Sequence, residues 1–123
     1  MMSSPNSPEA YIPLTPAVFH ILLALAGGER HGYAIMQEVE QISEGQVVMG
    51  PGTLYGSIKR MLAVGLIVET GERPDSLLGD QRRRYYKLTS LGSGVLAAES
   101  RRLERLVRTA RAQRVLPDPE DAA

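Results

Sequence analysis

Five residues between positions 53 and 60 are of the types that bind polyanions: Thr53, Tyr55, Gly56, Lys59 and Arg60. On a helix, at about 100° per residue, Gly56 lies almost opposite the apolar stripe of this segment, with a cation on each side of it. A small, bare centre flanked by cations, a hydroxyl and a phenol would let the helix approach a polyanion closely and reach phosphates and base edges. The alternative is that Gly56 relieves crowding against a neighbouring element and that both cations are merely solvated.

A second cationic cluster, Arg82 to Arg84, has three adjacent guanidinium groups. Such groups repel one another unless a polyanion or nearby carboxylates neutralise them. The cluster therefore indicates either a nucleic-acid contact or pairing within the chain, for which Asp75 and Asp80 are close in sequence. The net charge of the chain is zero, but residues 51–115 hold 13 basic and 6 acidic residues, and both ends are acidic. This basic middle favours a nucleic-acid partner.

The sequence contains no recognisable catalytic or metal-binding pattern. The stretch GPGTLYG lacks the following GK[ST] of a phosphate-binding loop and does not follow a buried strand. His20 and His31 show no HExxH pattern, and the chain has no cysteine. We therefore predict no enzyme activity, no metal and no cofactor, with His20 a satisfied helix residue and His31 a helix cap or a backbone contact.

The absence of cysteine also fits a reducing compartment. The longest apolar run, residues 17–26, is too short to span a bilayer, and no secretion signal or membrane anchor is found. We expect a cytoplasmic protein with no membrane partner.

Four helices and one hairpin would position the cationic clusters. Caps, first-turn prolines and apolar periods predict helices over about 15–26, 32–42, 51–64 and 90–114, with Ile42 and Leu62 facing inward. Strands over 66–68 and 82–88 would be joined by a long loop from Thr70 to Gln81, with Tyr86 and Leu88 facing the core and Tyr85 and Lys87 outside. The fold class is mainly α with a small β-hairpin. This order is that of a winged helix-turn-helix, in which the third helix enters the major groove and the hairpin contacts the backbone or minor groove.

The first and last helices indicate a homodimer. The last helix would be roughly 36 Å long, more than a core of this size can cover, and the first helix is apolar on two sides, so a second copy is the obvious partner. The residues assigned to this interface are Phe19, Leu23, Leu96, Leu103, Leu106, Val107 and Ala110. The chain would divide into a flexible arm (1–13), a winged helix-turn-helix (14–88), a dimerisation helix (89–115) and a disordered acidic tail (116–123).

Five segments of the sequence resemble the PadR-like transcriptional regulators, in unbroken order over residues 14–114. They are LTPAVFHILLAL, GERHGYAIMQEVE, GPGTLYGSIKRM, GLIVE and RRRYYKLTSLG. The resemblance implies a winged-helix repressor of the compact branch that binds an inverted-repeat operator in double-stranded DNA as a homodimer. It also implies release by a small effector, which would be aromatic or apolar.

Carried onto this chain, the resemblance implies a DNA-backbone contact for Tyr33. It places Thr53, Tyr55, Lys59 and Arg60, around Gly56, at the major groove, and residues 82–84 in the wing. The rival hypothesis is a small-molecule sensor or protein-interaction module that keeps the winged-helix scaffold but binds DNA weakly, since a fold does not fix a function. The outward cations of the third helix argue against this rival.

Overall fold

The computed structural model describes residues 7–74 and 82–121. Over these residues the chain is mostly helical, with one small sheet, as predicted. The elements are α1 (Pro16–Ala26), β1 (Arg30–His31), α2 (Gly32–Ile42), α3 (Pro51–Val64), β2 (Ile67–Pro74), β3 (Arg82–Leu88) and α4 (Ser90–Ala112). Short 3-10 turns cover Pro8–Tyr11 and Pro119–Asp121, which the sequence did not indicate. Among the described residues, no helix has the length and apolar character needed to cross a bilayer.

Each helix begins at a residue that satisfies or avoids an unpaired backbone N–H. The hydroxyl of Thr15 accepts from the N–H of Val18 (3.3 Å), and that of Thr89 accepts from Gly92 (3.0 Å). α3 instead begins with Pro51, which has no N–H to satisfy. The four predicted helices are confirmed because these signals act within one turn of the chain.

The sheet has the order β1-β3-β2, with antiparallel pairing throughout. β1 was not predicted, because a strand of two residues has no period to read. β2 continues to Pro74, so the prediction of a loop beginning at Thr70 was wrong. Residues 71–74 of β2 pair through the backbone with residues 82–85 of β3. Polar side chains do not prevent this backbone pairing. The remainder of the predicted loop, residues 75–81, lies outside the described residues.

The core lies between the three N-terminal helices, the sheet and the first half of α4. Its largest fully buried side chains include Ile21, Leu22, Ile35, Leu54, Met61, Ile67 and Val95. Tyr86 is buried as predicted, whereas Ile42 and Leu62 are 38% and 36% exposed, against the expectation that they face inward. The buried face of α3 instead includes Ser57, so Leu62 lies at its edge.

α4 is fixed against the end of α3 and the start of β2. A side chain at Gly92 would collide with the carbonyl oxygen of Leu66, so only glycine allows this close approach. Further along α4, the buried carboxylate of Glu99 accepts from the backbone N–H of Leu14 (2.7 Å) and pairs with Arg102. These contacts join the segment before α1 to α4.

Candidate nucleic-acid interface

The outer face of α3 is open, as the cationic, glycine-centred pattern predicts. A Cβ added at Gly56 would meet only a guanidinium nitrogen of Arg60, at 3.7 Å, and one added at Gly52 would meet nothing within 4 Å. Gly56 therefore does not relieve crowding against another element. Lys59 is exposed on the same face, as is Ala63. Gly52 and Ala63 lengthen the strip of small residues around Gly56. A helical projection of the sequence places both on this face, but they were not among the predicted residues.

Polar and cationic groups flank this strip. Thr53 and Tyr55 are exposed near the start of α3. Arg60 is also exposed, and its guanidinium donates to the buried hydroxyl of Ser57 (3.3 Å), which directs it back along its own helix. Within the described residues, Lys59 has no carboxylate at ion-pair distance. Lys59 is therefore the cation of α3 whose charge is most available to an external anion.

The starts of α2 and α3 are in direct contact. A Cβ at Gly32 would lie 2.8 Å from the Cζ atom of Tyr55, so the phenol ring lies on the backbone of α2. Tyr33 is half exposed beside it. Between these two helix starts and β3 is a surface cavity of about 410 Å³, whose lining includes both tyrosines, His31, Arg83 and Arg84. The structure thus brings Tyr33, Tyr55 and two arginines of the wing to one surface. The other predicted residues of α3 do not line this cavity: Thr53, Gly56, Lys59 and Arg60.

The three consecutive arginines of β3 each make a different contact. Arg83 is half-buried, with its Nη1 3.1 Å from Nδ1 of His31 and its guanidinium 5.1 Å from the centre of the Tyr33 ring. Arg84 is exposed and donates to Glu72 (3.2 Å), and this bond raises the pKa of Arg84. The backbone of Arg82 pairs with Pro74. Carboxylates of β2 therefore neutralise part of the run, while Asp75 and Asp80 lie outside the described residues.

The base of the wing is tied to the connection between α1 and α2. Glu29 forms an ion pair with Arg73 of β2, and this hydrogen-bonded contact lowers the pKa of Glu29. The Arg73 guanidinium lies 4.3 Å from the centre of the Tyr85 ring, which meets the ring of His31 edge-on at 5.3 Å. Tyr85, predicted to lie outside, is therefore half-buried between two partners, because β1 pairs beside it.

The residues assigned to a dimer interface are largely uncovered in the single chain. Leu106 is 55% exposed, and Leu23 and Val107 are also exposed. The other members, Phe19, Leu103 and Ala110, are half-buried. Leu96 differs, because it belongs to the core of its own chain and has little surface left for a partner. Within the described residues, no group of three or more histidines and carboxylates could hold a metal.

Comparison with known proteins supplies relatives for most of this chain. The model of the transcriptional regulator PadR-like family matches residues 21–98. Transcriptional regulator Rv3488 of Mycobacterium tuberculosis is 36% identical over 89 residues, which cover 72% of this chain and 77% of the relative. An uncharacterized 37.1 kDa protein in transposon TN4556 of Streptomyces fradiae is 40% identical over 86 residues. This chain spans only 22% of the length of that protein.

Solved structures share the fold. A PadR family transcription regulator from Clostridium difficile has a TM-score of 0.64 at 25% identity, covering 83% of this chain and 100% of the other. A transcriptional regulator from Clostridium thermocellum has a TM-score of 0.64 at 21% identity, covering 90% and 97%. PadR of Bacillus subtilis, solved in complex with operator DNA, has a TM-score of 0.60 at 21% identity and covers 70% and 47%.

Proposed function

The chain belongs to the PadR-like family of transcriptional regulators, and on that premise we propose that it is a homodimeric repressor of an inverted-repeat operator, released by a small aromatic or apolar effector. A repressor acts where the chromosome lies, so the proposal includes a cytoplasmic location. The family is one of regulators rather than enzymes, in agreement with the prediction of no catalytic activity.

The observation that carries the proposal is the open, glycine-centred outer face of α3, with Lys59 exposed beside it. A face without protruding side chains at its centre can enter a major groove deeply, while cations at its edge neutralise phosphates. Tyr33 and Tyr55 add two exposed phenols at the neighbouring helix starts. The Bacillus subtilis relative, solved with its operator, supports this use of the shared fold.

In this proposal the wing contributes less to DNA binding than three unpaired arginines would. Arg84 is exposed but already paired with Glu72, so a phosphate must compete with a carboxylate for it. Arg83 lies over Tyr33 and can act together with that phenol. We therefore assign the larger share of the binding free energy to α3.

A titration of random duplex DNA at two salt concentrations tests the proposal against a sensor or protein-interaction module. Each neutralised phosphate releases counterions, so log K should fall by about 0.9 per contact for each log unit of salt. A flat salt response would favour the rival. Selection of preferred duplexes from a random pool, followed by a search for compounds that release them, would then test the operator and the effector.

Lys59→Ala should weaken binding to all duplexes to a similar degree and reduce the salt slope by about 1, since one phosphate contact is lost. Because the side chain is exposed, the melting temperature should not change. Arg101→Ala is the matched control: it removes one exposed positive charge from α4, away from α3, and should leave the salt slope unchanged. Equal losses in the two variants would show that Lys59 contributes only to the overall charge.

Gly56→Ala should change stability and DNA affinity in opposite directions. The free energy of unfolding should rise by about 1 kcal/mol, since glycine inside a helix costs that much relative to alanine. The added methyl meets only the Arg60 guanidinium, so the fold accommodates it. Affinity should fall because the methyl stands at the centre of the face that enters the groove. Thermal melting and anisotropy titration measure the two effects, and unchanged affinity would place Gly56 outside the interface.

A further inference from the structure

The start of α2 has a bare backbone on which the ring of Tyr55 from α3 lies. Gly32, the first residue of α2, is buried, and the three atoms nearest to a Cβ added there all belong to Tyr55. The Cζ atom would lie 2.8 Å from that Cβ and the Cε1 atom 3.0 Å from it, and the hydroxyl oxygen would be nearer still. Any residue other than glycine at position 32 would therefore displace this ring.

The backbone conformation at position 32 does not itself require glycine. Gly32 lies in an ordinary α-helix and does not have a positive φ. The cap before it fixes the start of the helix, because Nδ1 of His31 accepts from the backbone N–H of Ala34 (3.1 Å), as predicted for His31. The glycine is therefore explained by the ring that lies on it and not by the turn of the chain.

Tyr55 lies at the border between the buried and outer faces of α3. Its neighbour Leu54 is fully buried, whereas Gly52 and Lys59, three residues before Tyr55 and four residues after it, are exposed. One side of the Tyr55 ring covers Gly32, and 48% of the residue is exposed. A contact at this border acts away from the helix axis, so it limits the rotation of α3 about that axis.

The rotation of α3 determines which of its side chains reach base edges. Side-chain ends lie about 5 Å from a helix axis, so a rotation of about 30° moves them by roughly 3 Å. Hydrogen bonds to bases tolerate only a fraction of that movement. The long side chains of Lys59 and Arg60 can still reach phosphates after such a rotation, because they are flexible and phosphates line the whole groove.

We propose that Tyr55 is a positioning residue for α3: its ring, lying on the bare backbone of Gly32, holds the rotation at which the outer face of α3 meets base edges. Base contacts specify a sequence, whereas phosphate contacts hold the protein on any duplex. Tyr55 therefore governs the preference among duplexes more than the affinity for DNA in general. This inference rests on the proposed DNA binding.

The test compares the affinity of the full chain for a preferred duplex, selected from a random pool, with its affinity for random duplex at the same salt concentration. Gly32→Ala puts a methyl where the ring lies, and the half-exposed ring can turn into solvent without unfolding the chain. The ratio of the two affinities should fall about tenfold, the size of one lost base contact. The salt slope on random duplex should stay as in wild type. An unchanged ratio would overturn the proposal.

Variants of Tyr55 separate positioning from direct contact with DNA. Tyr55→Ala should lower the ratio about as much as Gly32→Ala does, and Tyr55→Phe should keep it, because the ring remains on Gly32. Gly32→Ala combined with Tyr55→Ala should be no worse than Tyr55→Ala alone, since the methyl then has no ring to displace. Additive losses would show that the two residues act independently. A loss in Tyr55→Phe as large as in Tyr55→Ala would assign the effect to the hydroxyl. Either result would overturn the proposal.

Gly94→Ala is the matched control for strain. A Cβ at Gly94 would lie 2.9 Å from Cγ of Pro8, so this methyl also presses on a side-chain ring, but it involves no residue of α2 or α3. Its ratio should equal that of wild type, and a fall like that of Gly32→Ala would contradict a specific role for Tyr55.

Two wild-type results distinguish this inference from the proposed function. Absence of salt-dependent binding to random duplex would refute the proposed function itself. Salt-dependent binding with a preference that survives Gly32→Ala would refute only the role of Tyr55. Salt-dependent binding with equal affinity for every duplex would also overturn that role, because there would be no base contacts for Tyr55 to position.

Discussion

Leu106→Asp is expected to convert the proposed dimer into folded monomers and to lower affinity for a duplex with two half-sites by about 100-fold or more, since the two α3 helices would no longer bind as one unit. Leu106 is 55% exposed in the single chain, so aspartate there stays in water and the monomer keeps its core. In a dimer the same carboxylate would be buried against apolar groups without a partner, which costs several kcal/mol.

Sedimentation at micromolar concentration measures the first effect, and titration of single and paired half-sites measures the second. Affinity for one half-site should change little, because α3 is untouched. Val68→Asp is the matched control, since Val68 is 40% exposed and lies on β2 instead of α1 or α4. A dimer that persists in Leu106→Asp would move the interface away from the second half of α4.

In the proposed homodimer, the spacing of the two copies would determine how the candidate site is used. Two α3 helices read one operator only if they stand about 34 Å apart, or a multiple of that, along the same side of the duplex. α4 is 23 residues long, about 35 Å, and its second half extends beyond the core. A helix of that length, held to its own core by Glu99 and Gly92, can fix the distance between two wings rigidly.

The helices could be predicted because their signals are local. Thr15, Pro51 and Thr89 mark starts whose geometry is decided within one turn, and Gly65 ends α3 with φ of 83°. The outer face of α3 could be predicted for the same reason, because a helix that buries Leu54 and Ile58 must turn Gly56 away. The helical periodicity of the sequence was therefore enough to predict which residues of α3 belong to the candidate interface.

The wing could not be predicted in the same detail because its contacts depend on register. A bulge between Glu69 and Gly71 shifts the pairing of β2 with β3, and the resulting register places Glu72 opposite Arg84. A one-residue change in pairing would give each arginine a different neighbour. The position of His31 beside Arg83, 52 residues apart in sequence, likewise follows from the pairing of β1 and not from any local pattern.

Glu99→Ala is expected to lower the free energy of unfolding by about 2 to 3 kcal/mol, since a buried carboxylate that pairs with a cation and accepts a backbone N–H is removed. Glu99 is only 1% exposed, and the N–H of Leu14 would lose its acceptor. Glu104→Ala is the matched control on the same helix. It breaks an exposed ion pair with Arg108, which should cost less than about 0.5 kcal/mol.

The pH dependence of this stabilisation follows from the direction of the shift. The hydrogen bond from Arg102 lowers the pKa of Glu99, with a further contribution from the N–H of Leu14, against the opposing effect of burial. The pKa in the folded state is therefore below that in the unfolded state, so the stabilisation is complete above the unfolded value and is lost as pH falls through the folded one. Denaturant unfolding of wild type and Glu99→Ala at neutral and acidic pH should give curves that differ at pH 7 and converge towards low pH. A difference that stays constant with pH would mean that Glu99 stabilises the fold by packing alone, and that the segment before α1 is not held by charge.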